Sequence, residues 1–530
     1  MDFFITHILS VVLFTPTLAA LVIAFLPKQR VNLIRWVALG ASLLVFLLTL
    51  LTWSLFAAFN PPGTGFSLVE QADWYPGIGA SYKLGLDGVG LAMVLLTGLL
   101  TPLAILASFG IAERVKAYMA LFLLLETGML GVFMSLDLFL FFVFWEIGLV
   151  PMYFLISQWG GANRNYASLK FILYTMGGSL GLLLATQLMG VMTGTYDLER
   201  LFKLWPELAS GTLMGLPVAT VKSIAFWAFV IAFAVKVPIW PFHTWLPDAH
   251  TEAPTAGSMI LAGVLLKLGA FGFIRLVLPL FPVEASAYAG WLALLAVLAI
   301  IFGAWSAFGQ NDFKRLVAYS SINHMGFVVL GIAAAAVAQP FSQDGIIALN
   351  GSILQMFNHG LYSAGMFFLV GVIYDRAHTR DLNAFGGLYA RLPIYGTILI
   401  FTSMASLGLP GLNGFVSEFM VVRGAWPVFT AATAFAMIGL FFTGAYTLKA
   451  LWKVLHGPLN PAWGGEHGGE HTKGKGKGAP AHTHTHALSE INLRELAVIT
   501  PLMVLILVIG IWPGWIVDMI NKAVMSLGRF

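Results

Sequence analysis

Apolar residues run in stretches of about 20 along most of the chain, separated by short segments that hold most of the charges. Each stretch is long enough to cross a bilayer as a helix, and backbone groups in lipid must bond within their own segment. The pattern predicts an all-α, polytopic membrane protein of about fourteen transmembrane helices, centred near residues 15, 45, 98, 126, 147, 181, 230, 267, 297, 327, 360, 405, 440 and 506. The opening stretch, through Arg30, lacks a basic start and a small-residue cleavage site, so it reads as the first spanning helix.

Two of these stretches are interrupted alike. The seventh carries Pro238 and Pro241 just after Lys236, and the twelfth carries Gly408, Pro410, Gly411 and Gly414 just before Glu418. Proline removes an amide donor and clashes with the preceding turn. Interrupted helices at matching places in two halves point to a transport site. If helices 4–8 and 9–13 are repeats, helices seven and twelve are both fourth in their unit. Five being odd, the second unit enters the membrane from the other side, giving two inverted five-helix repeats. The chain then divides into 1–112 (helices 1–3), 113–280 (helices 4–8), 285–455 (helices 9–13), a linker over 456–493, and 494–530 (helix 14).

Composition agrees: 59% of the 530 residues are hydrophobic and 10% charged, where a soluble domain carries about 25% charged residues. The net charge of +4 sits mostly in loops, which favours membrane orientation over nucleic-acid binding. Most Lys and Arg follow odd-numbered helices. That side is expected to be cytoplasmic, with both termini on the outer, periplasmic side. Without cysteine, disulfides and cysteine-ligated clusters are excluded. The linker GGEHGGEHTKGKGKGAPAHTHTH is read as solvated low complexity; His467, His471, His482, His484 and His486 could bind metal by composition alone.

Against this background a few ionisable residues stand out. Glu146 lies in DLFLFFVFWEIGLVPMYFLI, Lys236 in AFVIAFAVKVPIWP, and Lys267 in ILAGVLLKLGAFGF. A charge near the bilayer centre costs roughly 2.5–3.5 kcal/mol, so each needs a reason. Glu146 and Lys236 suit one another as an ion pair, either locking helices five and seven or making and breaking in a proton-transfer cycle. Lys267 is roughly ten residues, about 15 Å of rise, from either helix end, too far to snorkel. His324 and His359 lie on adjacent helices between Lys267 and Glu418, and imidazole suits a relay because it titrates near neutrality. Glu126 and Asp137 are further acids of lower rank. His243, Asp248, His250 and Glu252 follow the seventh break; an uptake site or a turn accounts for them better than a metal site.

FFVFWEIGLVPMYFLI, AVKVPIWPFHTWLPDAHTEAPT, LLKLGAFGFIR, DFKRLVAYSSINHMGF, HGLYSAGMFFLVGVIYDRAHTRDL and SLGLPGLNGFVSEF resemble the chain M (subunit 4) family of proton-translocating NADH:quinone oxidoreductase, respiratory complex I, over about residues 80–455. The resemblance implies an antiporter-like membrane-arm subunit that couples quinone reduction elsewhere to proton pumping. It implies roles in proton translocation for Glu146, Lys236, Lys267, His324, His359 and Glu418. The acid at Glu418 separates this family from its sisters, which typically carry lysine there. No cofactor or metal is expected in this chain; FMN and iron–sulfur clusters, with NADH and quinone, would belong to partner subunits. Sister antiporter-like subunits would flank it in the inner membrane. Alternatives are a subunit of a multi-subunit Na⁺/H⁺ antiporter, of a membrane hydrogenase or ferredoxin-driven relative, or a passive structural subunit.

Overall fold

The computed structural model describes residues 5–59, 65–208, 211–213, 215–338, 340–463 and 488–527; the His-rich tract lies outside them. Among the described residues, thirteen helices are long and apolar enough to cross a membrane. Another span consists of two shorter helices, Pro393–Leu407 and Asn413–Ala425. Every predicted centre falls on or beside one of these fourteen. The spans with the greatest burial are the third (Gly88–Gly110), eighth (Thr255–Leu280), tenth (Phe313–Ala336) and eleventh (Gln343–Ala377). They form the inside of the bundle. The second, sixth (Arg164–Thr193) and thirteenth (Thr430–Leu455) present apolar side chains outward, as a lipid-facing helix does.

Three elements outside the spans carry no long hydrophobic signal. A hairpin pairs Ser67–Tyr75 with Ala80–Leu86, a short helix covers Leu198–Glu207, and a second C-terminal helix, Gly514–Leu527, follows the last span Leu493–Ile511. The hairpin is tied down by charge. Glu70 accepts from the amides of Leu9 (2.6 Å) and Ser10 (3.2 Å), capping the start of the first span. Lys83 bonds Asp197 (2.7 Å) and Glu199 (2.6 Å). Burial pulls the Lys83 amine down, but these two carboxylates outweigh it and hold it above the usual lysine range.

Two turns repeat one device. Asp137 caps the fifth span (Leu138–Trp159) and bridges to Asp197, which caps Leu198–Glu207. Asp312 caps the tenth span and bridges to Asp381, which caps Leu382–Ala384. The first pair lies on the hairpin face, the second on the opposite face, where Lys170 and Arg315 pair with Asp248 and Arg380 pairs with Asp312.

An Arg–Asp ion pair is buried among the spans. Arg275, near the hairpin-face end of the eighth span, bonds Asp87, the N-cap of the third, with its guanidinium over Phe66 (4.8 Å) and Phe271 (5.1 Å). Removing one partner leaves a buried charge alone. Arg275→Leu should therefore cost about 3–5 kcal/mol, read as a lower thermal midpoint in detergent; an unchanged midpoint would show that Asp87 is solvated.

Candidate functional site

The seventh span, Val218–Lys236, stops where Pro238 and Pro241 prevent a regular helix; the chain resumes helix at Trp245–Glu252. Its freed end is closed by Trp245, whose indole donates to the Val235 carbonyl at 2.9 Å. Lys236 is therefore held at a helix end inside the bundle, 1% exposed. Its Nζ lies 5.2 Å from the Trp145 ring and has no hydrogen-bond partner among the described residues. Trp145 in turn donates to Ser179 Oγ (2.9 Å). The direct Glu146–Lys236 pair suggested by the sequence is not made in this state. Glu146 Oε1 is buried without a partner among the described residues, and the indole of its neighbour Trp145 contacts the lysine through its ring face instead.

The eighth span passes close by because glycine lets it. A Cβ on Gly269 would meet the Phe233 carbonyl at 2.8 Å and Lys236 Cβ at 2.9 Å. Two π-helical turns, Leu261–Leu265 and Phe273–Val277, flank the α turn that carries Lys267; such turns are frequent at functional sites. Fully buried, Lys267 donates through Nζ to the Ala262 carbonyl in the first π turn and meets His359 Nδ1 at 2.7 Å. That second contact needs the eighth and eleventh spans to touch. At Gly360 a Cβ would stand 2.9 Å from the Gly263 carbonyl.

From His359 the polar series continues. The rings of His359 and His324 lie 5.9 Å apart, and each packs edge-on to Tyr362 at 5.4 Å. His324 Nδ1 is 2.7 Å from Glu418 Oε1, while its Nε2 faces Ser406 Oγ (3.2 Å) and Tyr446 OH (3.3 Å). Gln355 Nε2 donates to the same Glu418 oxygen at 2.8 Å. Glu418 is reached because Gly408, at φ +85°, ends the first half of the twelfth span in a left-handed turn. Four of the six residues singled out by sequence, Lys267, His359, His324 and Glu418, thus lie in one contact series. Glu146 and Lys236 form a separate group across Gly269.

The lower-ranked acids part ways. Asp137 is a cap, accepting from the amides of Phe139, Leu140 and Ser81, and burial holds its carboxyl above the usual range despite those bonds. Glu126 is fully buried, with neither carboxyl oxygen partnered among the described residues. After the seventh break the four candidates do not converge. Asp248 pairs with Lys170 and Arg315, and Glu252 accepts from Asn163 N at 2.9 Å. Burial and the nearby Lys170 charge push the His243 imidazole down. His250 is fully buried, stacked on Phe367 at 4.3 Å, with neither ring nitrogen bonded among the described residues.

By sequence, His250 lies in the segment after the seventh break and Lys314 among the Lys and Arg that follow odd-numbered helices. Lys314 is 6% exposed and donates to the Ala253 carbonyl. With Glu252, Asp375 and Arg380 it lines a cavity of about 420 Å³ on the face opposite the hairpin. Gln355, Tyr362, Ser406 and Tyr446 were passed over because uncharged polar residues are common in membrane helices. Only the spacing of Gln355 and His359, one turn apart on a helix, could have marked one of them.

Residues 135–443 match the family described as "NADH:quinone oxidoreductase/Mrp antiporter, TM". The chain is 41% identical over 532 residues to NADH-quinone oxidoreductase subunit M of Rhodobacter capsulatus, covering 98% of this chain and 96% of that one. It is 41% identical to NAD(P)H-quinone oxidoreductase chain 4 1 of Synechococcus elongatus, over 85% of this chain and 82% of that one. Its fold superposes on a chain of respiratory complex I from Thermus thermophilus with a TM-score of 0.81 at 28% identity, covering 98% and 99% of the two chains. A chain of the Mrp complex from Dietzia matches in fold with a TM-score of 0.81 at 22% identity, covering 99% and 97%.

Proposed function

The chain belongs to the NADH:quinone oxidoreductase/Mrp antiporter family, as a subunit M-type membrane subunit of NADH:quinone oxidoreductase, and on that premise we propose that it moves protons along the buried polar axis through Lys236, Lys267, His359, His324 and Glu418. The observation that carries this reading is the contact series from Lys267 Nζ to His359 (2.7 Å) and from His324 to Glu418 (2.7 Å). Lysine, imidazole and carboxyl groups at these spacings exchange protons along hydrogen bonds, and apolar surroundings keep water from short-circuiting the path. The imidazole rings, 5.9 Å apart, need a water or a small ring movement between them.

Uptake starts on the basic, cytoplasmic face. The cavity lined by Lys314 and Glu252 lies on that face, at the end of the helix Trp245–Glu252 that follows the seventh break. Glu146 and Lys236 act as a switch: when they approach, the lysine keeps its proton; when Trp145 holds them apart, a buried lysine tends to lose it. Release is outward from Glu418. The matching Asp137–Asp197 and Asp312–Asp381 bridges on opposite faces support inverted repeats over helices 4–8 and 9–13. Quinone, NADH, flavin and iron–sulfur chemistry belong to partner subunits, and both termini face outward from the inner membrane.

Lys236→Ala in the assembled complex should depress oxidoreductase turnover and proton pumping together, about 10²-fold if the lysine is an obligatory proton carrier. Turnover with full proton stoichiometry in that variant sinks the assignment. A relative named subunit M, 41% identical over nearly the whole chain, favours this reading over an Mrp-type Na⁺/H⁺ antiporter, which shares the fold.

A further inference from the structure

Glu418 is bound unevenly. Oε1 meets two nitrogens, His324 Nδ1 at 2.7 Å and Gln355 Nε2 at 2.8 Å. Oε2 is buried and has no partner among the described residues; it lies 3.5 Å from where a Cβ on Gly408 would stand. The orientation of the Gln355 amide follows from chemistry. An ionised carboxylate only accepts, so the amide NH₂ must face Glu418. The amide oxygen is then left for Ser417 Oγ, which donates to it while accepting from Asn358 Nδ2 at 3.0 Å. The second N–H of Gln355 goes to Tyr362 OH at 3.0 Å. Both Gln355 and Ser417 are fully buried, so this amide is clamped from both ends and cannot turn over cheaply.

The unpartnered oxygen faces the break in the twelfth span. The first half of that span is 15 residues long, about 22 Å of rise, which places the break toward the hairpin face. Leu409 there is 45% exposed. Gly411 O packs against Gly510, one residue from the hairpin-face end of the last span.

We propose that Gln355 is a positioning residue that gives Glu418 a direction, by binding whichever oxygen is bare and leaving the protonated one to face the Gly408 break. The inference rests on the relay proposed above. In the transfer, the N–H bond of protonated His324 at Nδ1 breaks and an O–H bond forms on Glu418, leaving neutral imidazole and a neutral carboxyl. A hydroxyl oxygen is a poorer acceptor than a carbonyl oxygen, so the Gln355 N–H favours rotation of the carboxyl that brings the bare oxygen to itself. The O–H, now at the break, gives its proton to water from the outer side, and the carboxylate is restored. Without Gln355 nothing opposes the hydrogen bond from the Glu418 O–H to the bare Nδ1 of neutral His324, and return of the proton competes with release.

The test uses the whole membrane complex. Gln355→Met keeps length and apolar fit but removes both donors. Pumping-coupled turnover should fall about tenfold, the weight of one hydrogen bond to a charged group. The infrared carboxyl band of protonated Glu418, identified by its absence in Glu418→Gln, should move to higher wavenumber. Ser417→Ala, a milder change that unclamps the amide and leaves Asn358 Nδ2 to the Asn413 carbonyl, should shift or broaden the same band and serves if the Met variant does not assemble. An unmoved band in the assembled variants, with normal turnover, overturns the role of Gln355. A silent Glu418→Gln would instead overturn the relay itself, so the two failures are distinguishable.

Discussion

Lys267→Ala is expected to reduce proton-coupled quinone reduction by about 10²-fold or more, the usual weight of an obligatory proton-transfer group, in a complex that still assembles. The side chain is fully buried with two contacts, the Ala262 carbonyl and His359 Nδ1. Alanine removes the group that joins the seventh-span side of the axis to the histidines. It also leaves His359 facing a gap: Nδ1 keeps Ser363 Oγ at 3.4 Å, and Nε2 has no partner among the described residues. Packing loss alone predicts something different: lower thermal stability with normal turnover in whatever complex remains. Lys267→Arg separates the two. Arginine fills the space and keeps a positive charge, but its guanidinium does not release a proton in proteins. If the lysine must titrate, arginine is as inactive as alanine; if only charge or volume matters, arginine restores turnover. The measurements are NADH-driven quinone reduction and proton uptake in sealed vesicles, each normalised to assembled complex. Turnover within tenfold of the parent in the arginine variant, with full pumping, would show that Lys267 does not carry the proton.

The parts of this site that were legible in the sequence are those where a residue breaks a strong local rule. Lys236, Lys267 and Glu418 are charges in runs where the bilayer penalises charge, and Pro238, Pro241 and Gly408 interrupt helices that hydropathy defines well. Each violation is visible within a window of about 20 residues. What the window cannot carry is depth and direction. Lys314 lies among the basic residues that follow the ninth helix, where interfacial lysines are ordinary, yet it is 6% exposed, turned inward to the Ala253 carbonyl. His250 follows a proline-rich break, where a loop is the natural reading; it is buried because Trp245–Glu252 resumes helix and packs beneath Phe367. Charge complementarity suggests a Glu146–Lys236 pair, but the described residues do not close it: the lysine amine lies over the Trp145 indole instead. The hairpin was missed for a different reason. Ser67–Tyr75 leaves much of its length exposed and is held by single charges, Glu70 and Lys83, whose partners lie about 60 and 115 residues away.

Glu418→Gln provides the second large effect and the sharpest decision between a working relay and a scaffold. The substitution is nearly isosteric. Its amide oxygen can still accept from Gln355 Nε2 and His324 Nδ1, so the contacts at 2.8 and 2.7 Å survive with weaker donors' partners. The fold should therefore tolerate it, with a stability change of about 1 kcal/mol, while the carboxyl that takes the proton from His324 disappears. Turnover coupled to pumping should fall about 10²-fold. A passive structural subunit predicts the reverse: intact assembly with unchanged pumping. The double variant Lys267→Ala/Glu418→Gln adds a check on whether both residues serve one path. Groups that act as a unit are grossly non-additive, so the double variant should be no slower than the slower single. Two independent paths through this subunit would instead multiply the losses. Measured in the same vesicles, that product would separate Lys267 and Glu418 into different routes and break the series that runs through His359 and His324.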